Sequence, residues 1–154
     1  MILWKTLDIT FIKKNLIYAI ETSVKYGHFD CFEFLHKNGI ELTTRCFKDA
    51  ARYGNMTILK YIYEYDKEQI QKNKNYESLY HEKVSVAACD YGQFECLEFL
   101  CDKYPPECIP FEECMLSALY GGHIQCARIL HERYANANDL KNISIIERSE
   151  EHTS

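Results

Sequence analysis

Six histidines, eight cysteines and 23 acidic residues in a chain of 154 are enough for a zinc site, a thiol nucleophile or an acid–base pair, provided that spacing brings them together. Zinc ligands usually come in short pairs such as C-x2-C. The nearest approaches here are Cys96-x4-Cys101 and His123-x2-Cys126, with every proline of the chain lying between them. No glycine-rich phosphate loop, nucleophile elbow or H-E-x-x-H occurs. The thiols of Cys31, Cys46, Cys89, Cys96, Cys101, Cys108, Cys114 and Cys126 therefore read as small apolar side chains for a core. A small Cys/His metal-binding protein is the alternative. Glu112-Glu113 is a carboxylate pair, but near a helix start it complements the helix dipole. His28 and His123 each directly follow a glycine, and His36 and His131 each stand nine residues after the same glycines. Catalytic groups have no reason to recur in register, so these histidines are expected in turns and packing. The expectation is a protein with no catalytic residue, cofactor or metal.

That register leads to the elements. Four segments align on a glycine: Gly27, Gly54, Gly92 and Gly122. After each, apolar residues fall at offsets 2, 4, 5, 7 and 8, as in Gly92-Gln93-Phe94-Glu95-Cys96-Leu97-Glu98-Phe99-Leu100. This is one broad helical stripe, and it places Phe29, Met56, Phe94 and Ile124 in the core. Four residues before the glycines stand Ser23, Ala50, Ala88 and Ala118, small enough for two helices to approach closely. Each unit is predicted to be a helix, a turn whose glycine takes the left-handed conformation, and a second helix. Gly39 is expected to cap the second helix of the first unit.

The chain reads as all-α, an α-solenoid of about four helix-turn-helix repeats at roughly 15–39, 43–66, 80–104 and 110–135, with terminal caps over 1–14 and 136–154. Trp4, Leu7, Ile9 and Ile12 are candidates to cover the first unit, and Leu140, Ile143 and Ile146 form the face of a last helix. Six glycines and three prolines are too few to punctuate a small all-β domain. The stretch 65–75 is polar and predicts an extended second helix fraying into a surface loop, while Pro105, Pro106 and Pro110 stiffen the next linker.

The net charge is −5, and it is uneven: residues 1–60 carry nine basic and six acidic side chains, and residues 61–154 carry nine and 17. An acidic half argues against nucleic acid as a partner. No apolar run is long enough to span a bilayer. Nothing at Met1-Ile2-Leu3-Trp4-Lys5 resembles a signal peptide, so the expected location is intracellular and cytoplasmic, with no membrane partner.

The units resemble the ankyrin repeat. Ala50-Ala51-Arg52-Tyr53-Gly54 is similar to that family's A-A-x-x-G, and Gly27-His28-Phe29-Asp30-Cys31-Phe32-Glu33-Phe34-Leu35 to the start of its second helix. The family's T-P-L-H entry is replaced, for example by Arg45-Cys46-Phe47-Lys48, which leaves its hydrogen-bond network and β-turn fingers without their usual residues. The short Cys- and Tyr-rich copies look most like the divergent ankyrin proteins of giant amoebal DNA viruses. That resemblance implies a viral protein acting in the host cytoplasm on a host protein. It also implies that residues just before the turn glycine lie at the rim of a concave binding surface. Here these are Lys25, Tyr26, Arg52, Tyr53, Asp90, Tyr91 and, one place out of register, Tyr120. Tyr and Arg are the side chains that most often dominate interfaces. The alternative is that each ring merely packs on the neighbouring turn. A non-enzymatic protein-binding module is the reading these features favour, with a self-associating structural protein as the competitor.

Overall fold

The computed structural model describes residues 9–134. The chain is all-α over this span, with no strand among the described residues. Its helices are α1 (Ile9–Lys25), α2 (Phe29–Lys37), α3 (Thr44–Arg52), α4 (Met56–Lys72), α5 (Lys83–Asp90), α6 (Phe94–Lys103), α7 (Phe111–Tyr120) and α8 (Ile124–Tyr134), with a 3-10 turn at Pro106–Cys108 before α7. They pair as hairpins in chain order. The first helices also pack on one another in the order α1, α3, α5, α7, and the second helices in the order α2, α4, α6, α8. The core lies between the two layers, where Ile20, Phe32, Phe47, Leu59, Ile62, Leu97, Leu100 and Leu130 are inaccessible to solvent. No described helix is long and apolar enough to cross a membrane.

The four hairpin turns share one backbone solution. Gly27, Gly54, Gly92 and Gly122 have φ of 71°, 71°, 69° and 72°. In each turn the glycine N–H donates three residues back, as Gly54 N does to Ala51 O at 3.4 Å. The following N–H reaches five residues back: His28 to Ser23 O, Asn55 to Ala50 O, Gln93 to Ala88 O and His123 to Ala118 O, all at 2.7–2.9 Å. This pair of bonds closes a helix on a left-handed residue and satisfies its orphan carbonyls. Ser23, Ala50, Ala88 and Ala118 are thus the acceptors of these closures. All four are buried. Gly39, at φ 92°, ends α2 in the same way, with Ile40 N donating to Leu35 O at 3.1 Å.

Not every apolar position of the second helices is core. Offsets 4, 5 and 8 carry Ile58, Leu59 and Ile62, or Cys96, Leu97 and Leu100, all buried. Phe94 and Ile124, expected inside, are 43% and 56% exposed, and Phe29 and Met56 are only half-buried. The reason is angular. At 3.6 residues per turn, offsets 2 and 7 lie about 110° to either side of the stripe's centre, so they face neighbouring hairpins and not the opposite layer. Phe29 meets Tyr61 at 6.0 Å between ring centres, and the Cys96 thiol approaches the Met56 sulfur at 3.3 Å. Among the described residues no second helix lies beyond α2 or α8, and Phe34 and Ile124, at the two ends, remain exposed.

One element boundary differs from the expected one: residues 9–14 belong to α1 and not to a separate cap, while α4 extends past 66 to Lys72 as the polar stretch suggests. Trp4 and Leu7, and the cap helix expected after 136, lie outside the described residues. The segment after α4 does not fray. It folds back on Asp66, a carboxylate 1% exposed, which accepts from Tyr76 Oη (2.9 Å), Ser78 Oγ (2.6 Å) and Leu79 N (2.8 Å). Tyr80 then stacks on Tyr104 at 3.8 Å, and its hydroxyl donates to Cys108 O at 2.9 Å. The loop is thereby joined to the proline-containing linker.

Candidate functional site

The turns bring polar side chains across from one hairpin to the next. Asn55 Nδ2 donates to Val24 O, Gln93 Nε2 donates to Arg52 O at 3.1 Å, and His123 Nε2 lies 3.0 Å from Asp90 O. The carbonyl accepts, so the His123 proton is on Nε2. In each case the residue after one turn glycine donates to a C-terminal carbonyl of the preceding first helix, at Arg52 and Asp90 and, as a second donor beside Gly27 N, at Val24. The repeated polar position after the glycine is therefore a staple between hairpins, a role legible from the shared donor types and not assigned from the sequence. His28 occupies the same position in the first hairpin and is exposed. Replacing Asn55 by Leu is expected to cost about 1 kcal/mol, read as a lowered urea midpoint with unchanged slope.

This stapling sets the rim residues. Tyr53 and Tyr91 are the last residues before their left-handed glycines, while Gly121 takes that place in the last hairpin. The extra glycine accounts for the register of Tyr120. Lys25 Nζ lies 5.5 Å from the Tyr26 ring centre and 5.8 Å from that of Tyr53. Tyr53 and Tyr91 meet at 5.8 Å with their planes tilted by 59°, and the Arg52 guanidinium sits 5.4 Å from Tyr91. Lys25, Tyr53, Tyr91 and Arg52 thus form a continuous row across three hairpins, two adjoining rings with a cation at each end. Such contacts hold side chains in place. Tyr26 stacks on His28 at 6.2 Å and remains 63% exposed. Asp90 and Tyr91 are exposed. Tyr120, at 88% exposure, makes no aromatic contact among the described residues and stands apart from the row.

Beside the row lies a depression of about 390 Å³ lined by Thr44, Arg45, Lys48, Asp49, Arg52 and His81. The α3 residues fall on one helical face, opposite buried Cys46, Phe47, Ala50 and Ala51. Thr43 starts that helix, its Oγ1 accepting from Cys46 N at 3.3 Å. Buried Asp49 is held between Arg45 at 3.4 Å and Arg52 at 3.5 Å, and Arg45 also reaches Glu21 at 3.8 Å. Only Arg52 of these lining residues is singled out by the sequence reading. The spacing of 44, 45, 48 and 52 on one face was available as a signal.

The other candidate chemistry is dispersed. Cys46, Cys89, Cys96, Cys101, Cys114 and Cys126 are buried, Cys108 is half-buried and Cys31 is exposed. Burial pushes the Cys46 thiol up and the Cys96 thiol to about 12, away from the thiolate needed for reactivity. His36 faces Tyr61 Oη at 2.8 Å and its pKa is lowered by burial, while His131 is exposed. Glu113 pairs with Lys83 at the start of α7. Among the described residues no three His, Cys, Asp or Glu side chains are grouped so as to hold a metal ion. Compared with known proteins, the chain matches no family model, no curated protein and no solved structure.

Proposed function

We propose that the protein is a non-enzymatic protein-binding module, an α-solenoid of four degenerate ankyrin-like repeats that presents the rim and inner face of its first helices to a protein partner. The observation that carries this reading is the row Lys25–Tyr53–Tyr91–Arg52, pre-ordered by contacts at 5.4–5.8 Å yet reaching solvent at Tyr91, which is 51% exposed. Ordered aromatic and guanidinium groups lose little conformational entropy when a partner docks, and they are the groups that most often act as interface anchors. Tyr26, Asp90 and Tyr120 extend the proposed contact surface to either side. The repeated turn geometry supports the repeat assignment, since the first three hairpins hold Tyr26, Tyr53 and Tyr91 at the same step of the same closure and the fourth repeats the closure with Gly121 at that step.

The test is the double variant Tyr53→Ala, Tyr91→Ala, assayed against a partner captured from the native cell and then purified. Binding is expected to weaken by about 2 kcal/mol or more, with the thermal midpoint within a few degrees of the parent. Undiminished binding by that variant overturns the assignment of this face.

A further inference from the structure

The depression beside the aromatic row has a chemistry of its own. Its walls carry three permanent cations, Arg45, Lys48 and Arg52, against one carboxylate, Asp49. Lys48 forms no ion pair among the described residues. Arg52 Nε is the one buried side-chain nitrogen or oxygen without a hydrogen-bond partner among them, a donor whose desolvation is uncompensated. His81 Nδ1 accepts from Lys83 N at 3.2 Å, which leaves the ring proton on Nε2. The depression is thus rich in N–H donors and positive charge, in a chain whose net charge is −5.

We infer that this depression receives a carboxylate side chain from an acidic segment of the protein partner, which runs from α3 along the Tyr53–Tyr91 row. The inference rests on the proposed partner-binding reading and names the partner's chemistry. Charge complementarity chooses the occupant. Arg45 and Arg52 are already shared with Asp49, and Arg45 also with Glu21, so three cations against two carboxylates leave a surplus of one positive charge, which matches a single carboxylate and not a doubly charged phosphate. Arginine forks and a lysine ammonium are suited to carboxylate oxygens. Direction follows from the same charges. Asp90 lies in the next hairpin beside Tyr91 and is exposed, so an acidic segment is repelled there and its carboxylates sit at the α3 end.

Short randomised peptides displayed on phage and selected on the full chain test this. The expected pool is enriched in Asp and Glu, with binding that falls steeply with salt. Changing the Glu of a selected peptide to Gln, or introducing Lys48→Gln into the protein, is expected to weaken binding about 10-fold or more at an unchanged thermal midpoint, while Arg45→Gln weakens binding similarly and lowers the midpoint because buried Asp49 loses a partner. A neutral or basic pool, an empty selection, or indifference to both protein variants overturns the inference. So does a phosphoserine version that binds 10-fold tighter than the Glu peptide, since the occupant is then phosphate. The Tyr53→Ala, Tyr91→Ala variant separates the two claims. If the natural partner needs those rings but acidic peptides do not bind, only the carboxylate site falls. If acidic peptides bind through Lys48 without regard to the rings, the wider face falls.

Discussion

Gly92→Ala is expected to lower the unfolding free energy by about 3 kcal/mol, whereas Gly122→Ala, at nearly the same φ, is expected to cost only about 1 kcal/mol. Both glycines are left-handed, at 69° and 72°, so both substitutions incur the penalty of placing a Cβ there, partly offset by a stiffer unfolded chain. They differ in space. A Cβ at Gly122 meets nothing within 4 Å. A Cβ at Gly92 overlaps Nδ1, Cε1 and Cγ of His123, an entire ring edge and not the end of a flexible chain. That ring is boxed in, because Gly121 lies against its other edge at Cδ2 and Nε2. Moving it breaks the His123–Asp90 carbonyl bond and separates α5 from the last hairpin, which adds about 2 kcal/mol from one hydrogen bond and local overpacking. Urea unfolding of the two variants measures the difference, and the two midpoints are expected to be well separated. In a His123→Ala background the Gly92→Ala cost should fall to that of Gly122→Ala, since the obstructing ring is gone. Equal costs for Gly92 and Gly122 in the parent chain would show that the imidazole staple carries no energy.

This pair of glycines also shows how far the sequence could be read. The turns were legible because left-handed backbone is nearly a private property of glycine, and because a small residue four places upstream has one evident use, close helix packing. The all-helical composition followed from the same punctuation. The staples were not read, although His28, Asn55, Gln93 and His123 share a register, because a local pattern marks where a side chain starts and not where it ends. Gly121 is likewise explained only by a ring that approaches it from the next residues. Phe94 and Ile124 were misplaced since a stripe of five apolar offsets does not say which of them face the opposite layer and which face the next hairpin. At the candidate site, Arg52, Tyr53 and Tyr91 could be found by register. Arg45 and Lys48 share a helical face with Arg52, a spacing the sequence does carry, whereas His81 could not be found, because the pocket joins α3 to the residues just before α5, across the loop that follows α4.

That loop gives the second large effect. Asp66 lies in a polar run, Tyr65-Asp66-Lys67-Glu68-Gln69, whose composition reads as a solvated helix face, yet its carboxylate is buried and saturated by the Tyr76 hydroxyl, the Ser78 hydroxyl and the Leu79 amide. A buried carboxylate is tolerated only with such compensation. Burial and the bond to Asp66 hold the Tyr76 phenol well above its ordinary range, so that hydroxyl stays a donor. Asp66→Ala removes the acceptor from three donors at once and opens a cavity in their place. The expected loss is about 3–4 kcal/mol, at the upper end for a single substitution because hydrogen bonds to a charged group are the stronger ones. Asp66→Asn keeps the oxygen that the Leu79 amide and the Tyr76 hydroxyl share but sets its NH2 against the Ser78 hydroxyl, and is expected to cost about half as much. Local release distinguishes this from a general loss of packing. Amide exchange at Leu79 and Tyr80 should accelerate far more than at core positions such as Leu59 or Leu97, because the loop is held to α4 chiefly through this carboxylate. The Tyr80–Tyr104 stack then loses its support on one side, and the linker carrying Pro105 and Pro106 loosens with it. Full protection of the Leu79 amide in Asp66→Ala would show that the aromatic stack, and not the carboxylate, fixes the loop.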